Sequence, residues 1–280
     1  MLKSTSDKVL ITILIILIII MLILMFVLAN SYSNHEKQID IAPVIDYSLY
    51  NDINKYLKAD EKEEYHKSIK LIDTLNNLYR LRMALLLYIE DHHRLPSELE
   101  ELLGEYLVEL PVEVISNTNQ VNSELDLTGG WYYNPTDIEL EQIVKESLRA
   151  NIKDDYSQEI NFIPYRILIV RAKKRLYLVQ GDNKIKSYPI GIGSVSNPTP
   201  SGEFRVKNKA RLSKEDKERY GEYWVGIDLW TKGGGYGIHA TTTPQVVITK
   251  QNSKGCIRMK EEDIVDLYNL IPLRTKVIIK

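Results

Sequence analysis

Residues Val9 to Ala29 carry no charge, and nearly every one of them is apolar. A run of that length crosses a hydrocarbon layer of roughly 30 Å as a helix. It exceeds the ~7–15-residue apolar core of a cleaved signal, although Val27-Leu28-Ala29 could serve as a small-residue cleavage site. We therefore read residues 9–29 as a retained transmembrane anchor. Lys3 and Lys8 precede the run, which keeps residues 1–8 in the cytoplasm and sends everything after residue 30 outside. The expected location is the cell membrane, single-pass, with the bulk of the chain extracytoplasmic.

The 280 residues are enough for one good-sized domain plus a smaller one, or for two small ones and an anchor. Residues 30–59 are polar and mixed, and read as a stalk. From Asp60, the positions Ile69, Ile72, Leu75, Leu78, Leu81, Leu85 and Tyr88 recur at three or four residues, the period of an amphipathic helix. That helix stops near EDHHRLP at Pro96. Ser97 with Glu100 then forms a capping-box pattern for a second short helix, SELEELLGEYL. ELPVEV, a polar loop and WYYNP follow as short strands and turns, so residues 60–136 form a small α/β module. Residues 137–162 are charged and partly helical, a linker. His92 and His93 have no cysteine or carboxylate at metal-ligand spacing, and read as helix-end histidines near the C-terminal dipole.

From residue 163 the texture becomes that of strands. YRILIVRAKKRLYLVQ is a hairpin by composition, and KIKSYPIGIGS, GEFRVKN, YWVGIDLW and TKVIIK continue the pattern. One helix, EEDIVDLYNLI, interrupts it with Ile264, Leu267 and Tyr268 on one face. The domain over 163–280 is thus mainly β, with one or two helices. Residues 162–280 carry 22 Lys+Arg against 11 Asp+Glu, and the remainder carries 14 against 27. A basic domain outside the cytoplasm meets a polyanionic wall or membrane surface rather than nucleic acid, or simply has a solvated basic face.

Cys256 is the single cysteine, so no intrachain disulfide framework exists. Either it is buried and inert or it is used. A nucleophilic cysteine needs a base or positive neighbours and donors for the oxyanion it creates. Lys254 and Arg258 flank it, and Gly255 removes a side chain beside it. His239, in GGGYGIHATTTP, is the one histidine of the β-rich part. Thirteen residues separate it from Ser253, enough for a loop to bring imidazole to sulfur.

Three segments in order, NPTPSGEF, GIHATTTP and SKGCIRM, resemble the motifs of the YkuD-type L,D-transpeptidase catalytic domain. That domain is a β-sandwich or barrel with one or two helices. The resemblance implies that Cys256 attacks the carbonyl between the third residue and D-Ala of a peptidoglycan tetrapeptide stem. D-Ala is released and the thioester passes to an amine of a neighbouring stem, a 3→3 cross-link. In the same scheme His239 is the general base, the Ala240 carbonyl orients its ring, and the amides of Gly255 and Cys256 form the oxyanion hole. Arg258, Ser253, Lys254, Tyr236 and Thr241 fall among the substrate-side positions, with Ser253 also supporting the turn. The family usually has His where Lys254 stands and Gly where Ala240 stands. Carbapenems, which acylate this family's cysteine, should acylate Cys256.

ALLLYIEDHHRLPSELEELLGEYLVELP with GGWYYNP resembles, more loosely, the globular part of type IV pilins and pseudopilins, without their processing site. It implies a spacer, or a docking piece for an envelope protein. No metal or nucleotide cofactor is implied, since Gly233 to Gly235 do not precede a helix. The rival readings keep the chemistry with water or a wall protein as acceptor, or make the chain a non-catalytic docking or wall-binding protein.

Overall fold

The computed structural model describes residues 59–135, 140–153, 162–231, 234–241 and 251–280. The chain falls into two compact units, Met1–Ile41 and Ala42–Lys280, and every described residue belongs to the second. The expected anchor over 9–29 lies outside the described residues, as do the tail and all of the stalk before Ala59. Among the described residues no helix is long and apolar enough to cross a membrane.

Helix α1 spans Ala59–His92. Its predicted stripe is buried at Leu75, Leu78, Leu81, Leu85 and Tyr88. Leu78, Leu81, Leu85 and Tyr88 pack with Leu99, Tyr106, Trp131 and Leu148 into the module's core. Tyr79 and Met83, one turn apart, belong instead to the core of the C-terminal domain, with Tyr165, Ile167 and Leu178. One helix thus carries two apolar stripes, and each stripe completes a different core.

The second helix expected after Pro96 is only a 3-10 turn, Leu99–Leu102. Glu101, not Glu100, closes back on Ser97, accepting from both its N–H and its hydroxyl at 2.6 Å. Beyond it, β1 (Val121–Asn122) runs parallel to β2 (Trp131–Tyr133). Helix α2 (Leu140–Ser147) and strand β3 (Leu148–Ala150) follow, and β3 pairs antiparallel with β2. Part of the stretch read as linker is therefore the third strand of the module's sheet. Buried Arg82 on α1 anchors it by donating to the carbonyls of Lys145 and Leu148. ELPVEV forms no strand; buried Glu113 instead accepts from the Thr74 hydroxyl at 2.7 Å and from the amides of Ile115 and Ser116.

The C-terminal domain contains β4 (Tyr165–Val170), β5 (Arg175–Gln180), β6 (Asn183–Pro189), β7 (Ile192–Gly193) and β8 (Gly202–Arg211). Helix α3 (Lys214–Tyr220), β9 (Tyr223–Thr231), β10 (Gly234–Ala240), β11 (Gln251–Ser253) and β12 (Ile257–Met259) come next. Helix α4 (Glu261–Leu270) and β13 (Lys276–Ile279) complete it. Eight strands form one sheet in the order β12-β10-β9-β8-β13-β4-β5-β6. The predicted hairpin is β4–β5, registered from Tyr165↔Gln180 to Val170↔Arg175. Its two sheet edges come together just after β6, where Gly191 and Arg258 exchange N–H···O bonds of 2.8 and 2.9 Å. The sheet thereby curls around Ile167, Leu176, Val225, Ile238, Ile257 and Val277, and α4 adds Ile264 and Leu267 to that core. Helix α3 has no apolar stripe, since KEDKERY is charged nearly throughout, and for that reason periodicity does not reveal it.

Candidate functional site

The site lies where β9, β10 and β12 are adjacent. His239 pairs with Trp224 on β9 and with Arg258 on β12, and Ala210 of β8 pairs with Trp224. These four residues therefore form one row across four strands. The next row on the same face holds Asn208, Gly226 and Gly237. Cys256 precedes the Ile257↔Ile238 pair by one residue, so continuing the register sets it beside Gly237 and diagonal to His239. The row between them, Val225, Ile238 and Ile257, faces the core and is fully buried. Sheet alternation alone thus puts the thiol and the imidazole on one face.

His239 is 3% exposed. Its Nδ1–H donates to the Ala240 carbonyl at 2.6 Å, the contact expected to orient the ring, and this tautomer leaves the lone pair on Nε2. Trp224 stacks on the imidazole with centroids 5.6 Å apart and planes 16° from parallel. Tyr220, at the end of α3, meets it edge-on at 5.0 Å and 90°. The indole N–H of Trp224 donates to Asn208 Oδ1 at 3.2 Å. A Cβ on Gly237 would stand 2.4 Å from the Trp224 ring, and one on Gly226 would stand 2.0 Å from Asn208 Oδ1. Both positions are glycine because the indole and its tether occupy that space.

Burial holds the imidazole down at about 4, with the charges of Arg258 and Arg219 adding to it and the backbone at Ala240 and Tyr220 opposing. Burial pushes the Cys256 thiol up, against the Gly237 N–H, Arg258 and Arg219, which favour thiolate. Both shifts favour the neutral forms, thiol and imidazole, over a thiolate–imidazolium pair. Of the two flanking cations expected to favour the thiolate, Arg258 does so, but Lys254 is exposed and is not among the groups acting on the thiol. Arg219, on α3 and stacked over Tyr220 at 5.0 Å, is the second cation instead.

The turn before the cysteine is tightly made. Gly255 has φ +110°, and a Cβ there would lie 2.1 Å from the Tyr236 ring. Ser253, 2% exposed, accepts from Gly255 N–H at 3.1 Å and donates to the Cys256 carbonyl at 2.6 Å. It supports the turn and is not open to substrate, and the Gly255 amide expected as an oxyanion donor is engaged by it. Thr241 is buried, with its N–H on the Met259 carbonyl. Arg258 is half-buried in the His239 row, and Tyr236 is half-buried against the domain core and the Gly255 turn. Residues 242–250, the end of the GIHATTTP segment included, lie outside the described residues. Among the described residues no group of His, Cys, Asp or Glu is arranged to hold a metal ion.

Trp224, Tyr220, Arg219 and Asn208 were not anticipated from sequence. A signal existed in the alternation of WVG on β9 and GIH on β10, which sets Trp224 and Gly226 opposite His239 and Gly237.

The pairing predicts a pH effect on stability. A histidine held near 4 in the folded state and near ~6.5 when unfolded stabilises the fold fully above pH ~6.5, and that stability is lost as pH falls toward 4. Between pH 7 and 4.5 the loss from His239 is about 2–3 kcal/mol. Asp73, held up at about 6 by burial, acts in the opposite direction. Urea melts at both pH values should therefore compare wild type with His239→Gln, in which the histidine's share of the loss disappears.

Fold and register together set a thiol and an imidazole on one face of a curled, mainly β domain, side-chain types that can carry out nucleophilic acyl transfer when brought together. The family model for the YkuD L,D-transpeptidase catalytic domain matches residues 164–279. YkuD of Bacillus subtilis (strain 168) is 37% identical over 117 residues, covering 42% of this chain and 66% of that protein. YqjB of the same organism is 35% identical over 127 residues, covering 41% of this chain and 70% of that protein. The chain belongs to the YkuD L,D-transpeptidase family. It spans just under two thirds of YkuD's length. The catalytic domain of the E. faecium L,D-transpeptidase, solved by NMR, is 20% identical and covers 41% of this chain and 96% of that one, with a TM-score of 0.35. The family assignment rests on the family model and the Bacillus relatives.

Proposed function

We propose that the chain is a membrane-anchored, extracytoplasmic L,D-transpeptidase acting on peptidoglycan stems, with Cys256 as nucleophile and His239 as general base. The observation that carries this reading is the shared sheet face of Cys256 and His239, with Nδ1–H held on the Ala240 carbonyl at 2.6 Å.

As sulfur attacks the stem carbonyl before D-Ala, its proton passes to His239 Nε2. The tetrahedral oxyanion collapses to a thioester when the D-Ala nitrogen leaves with that proton. An amine of a second stem then attacks the thioester, gives a proton to His239 and restores the thiol. Because burial favours the neutral form of both partners, proton transfer accompanies attack rather than preceding it. The N–H of Cys256 has no acceptor among the described residues and is the oxyanion donor in this scheme. Arg258, and Arg219 with it, face the anionic end of the stem. The module over 60–136 serves as the platform that presents this domain to the wall or to an envelope protein.

The test is incubation of the full chain in detergent with a purified disaccharide-tetrapeptide, read by mass spectrometry. A dimer lacking one D-Ala is expected, absent with Cys256→Ala and His239→Ala. Loss of D-Ala without dimer would make the enzyme a carboxypeptidase, and no reaction would leave a binding protein.

A further inference from the structure

The NPTPSGEF segment has no role in the mechanism above, yet its Thr199 is 1% exposed and reaches the nucleophile's turn. The Thr199 hydroxyl accepts from Gly193 N–H at 2.9 Å and donates to the Gly255 carbonyl at 2.8 Å. Its own carbonyl accepts from Arg171 at 2.8 Å, which holds the loop in place. Gly193 must be glycine for this approach, because a Cβ there would lie 2.2 Å from the Asn197 carbonyl oxygen and 2.9 Å from Gly255 Cα.

The Gly255 carbonyl and the Cys256 N–H belong to one peptide unit. That unit is planar and trans, so its C=O and N–H point in opposite directions, and fixing one aims the other. Ser253 holds the flanking groups, the Gly255 N–H and the Cys256 carbonyl. Thr199 holds the one remaining handle on the plane between them.

We infer that Thr199 is a positioning residue for acyl transfer: through the Gly255 carbonyl it aims the Cys256 N–H at the oxyanion. This rests on the reading of Cys256 as nucleophile. It also gives the threonine a reason to be there, since valine would fill the same volume but leave the buried Gly193 N–H and Gly255 carbonyl without partners.

Two reactions of the same sulfur separate the roles. Acylation by imipenem passes through a tetrahedral oxyanion. Alkylation by iodoacetamide displaces iodide at a saturated carbon and forms none, so it reads the thiol and its base alone. Both rates would be measured on the full chain by intact mass. Thr199→Val is expected to slow acylation by about tenfold to a hundredfold, short of or equal to outright loss of an oxyanion donor, with alkylation changed less than about twofold. Thr199→Ser, which keeps the hydroxyl, is expected to recover most of the acylation rate. Thr199→Ala, smaller and free to relax, is held to the same two rates should Thr199→Val not fold. The inference is overturned if acylation stays at the wild-type rate, if both rates fall together, or if serine does no better than valine. Acylation that persists in Cys256→Ala would overturn the nucleophile reading itself, and this inference with it.

Discussion

Imipenem added to the folded chain is expected to raise its mass by one drug molecule, and Cys256→Ala to abolish that adduct. His239→Ala is expected still to form it, but about 10²–10⁴-fold more slowly, the usual worth of a positioned general base. The expectation follows from the direction of the two shifts. Burial favours the protonated thiol and the unprotonated imidazole, so without His239 the sulfur must lose its proton to water inside a largely buried turn. The pH dependence adds a check: the rate should hold as pH falls, until protonation of the imidazole at about 4 removes the base. An adduct on Cys256→Ala, or His239→Ala reacting at the wild-type rate, would end the assignment of both roles.

Tyr79→Ala is expected to destabilise the Ala42–Lys280 unit by about 3–5 kcal/mol, the range for truncating a large buried aromatic. Tyr79 sits on α1 but packs in the catalytic core, stacked on Tyr165 with centroids 4.4 Å apart and tilted against Phe162 at 4.9 Å. Its hydroxyl donates to the Ile163 carbonyl and accepts from the Ile163 N–H at 2.8 Å and from Gln180. Tyr79→Phe keeps the ring and should cost about 1–3 kcal/mol for the orphaned polar groups. The same joint is closed at its other end by Leu273 N–H on the Tyr106 carbonyl at 2.9 Å, and by Arg274 against Asp91 and Glu105 at 3.0 and 2.8 Å. Module and catalytic domain should therefore melt as one transition in wild type, and as two in Tyr79→Ala. A wild-type melt in two steps would show that the module is a separately hinged spacer.

The family's motifs were legible because short-range chemistry writes them locally: a lone cysteine after glycine, a histidine in a glycine-rich strand, a proline-threonine-proline turn. The hairpin β4–β5 and the stripe of α1 were legible for the same reason, since period and turn composition are properties of neighbouring residues. Helix α3 was not, because a charged helix without an apolar stripe shows no period. The capping pattern misled, because Glu101 outcompeted Glu100 for Ser97 once only a 3-10 turn formed. The linker reading failed at Leu148–Ala150 because strand pairing is a long-range event, here with Trp131–Tyr133.

By itself, the sequence determined the family of the C-terminal domain, its candidate nucleophile and base, and the helical nature of the module's first element. Tertiary structure alone decided that Trp224 stacks on His239, that Thr199 grips the peptide before Cys256, that burial raises the thiol and lowers the imidazole, and that α1 belongs to two cores. Each of these depends on which strands lie side by side and how much water they exclude. Register and desolvation of that kind arise only when residues far apart in the chain are packed together.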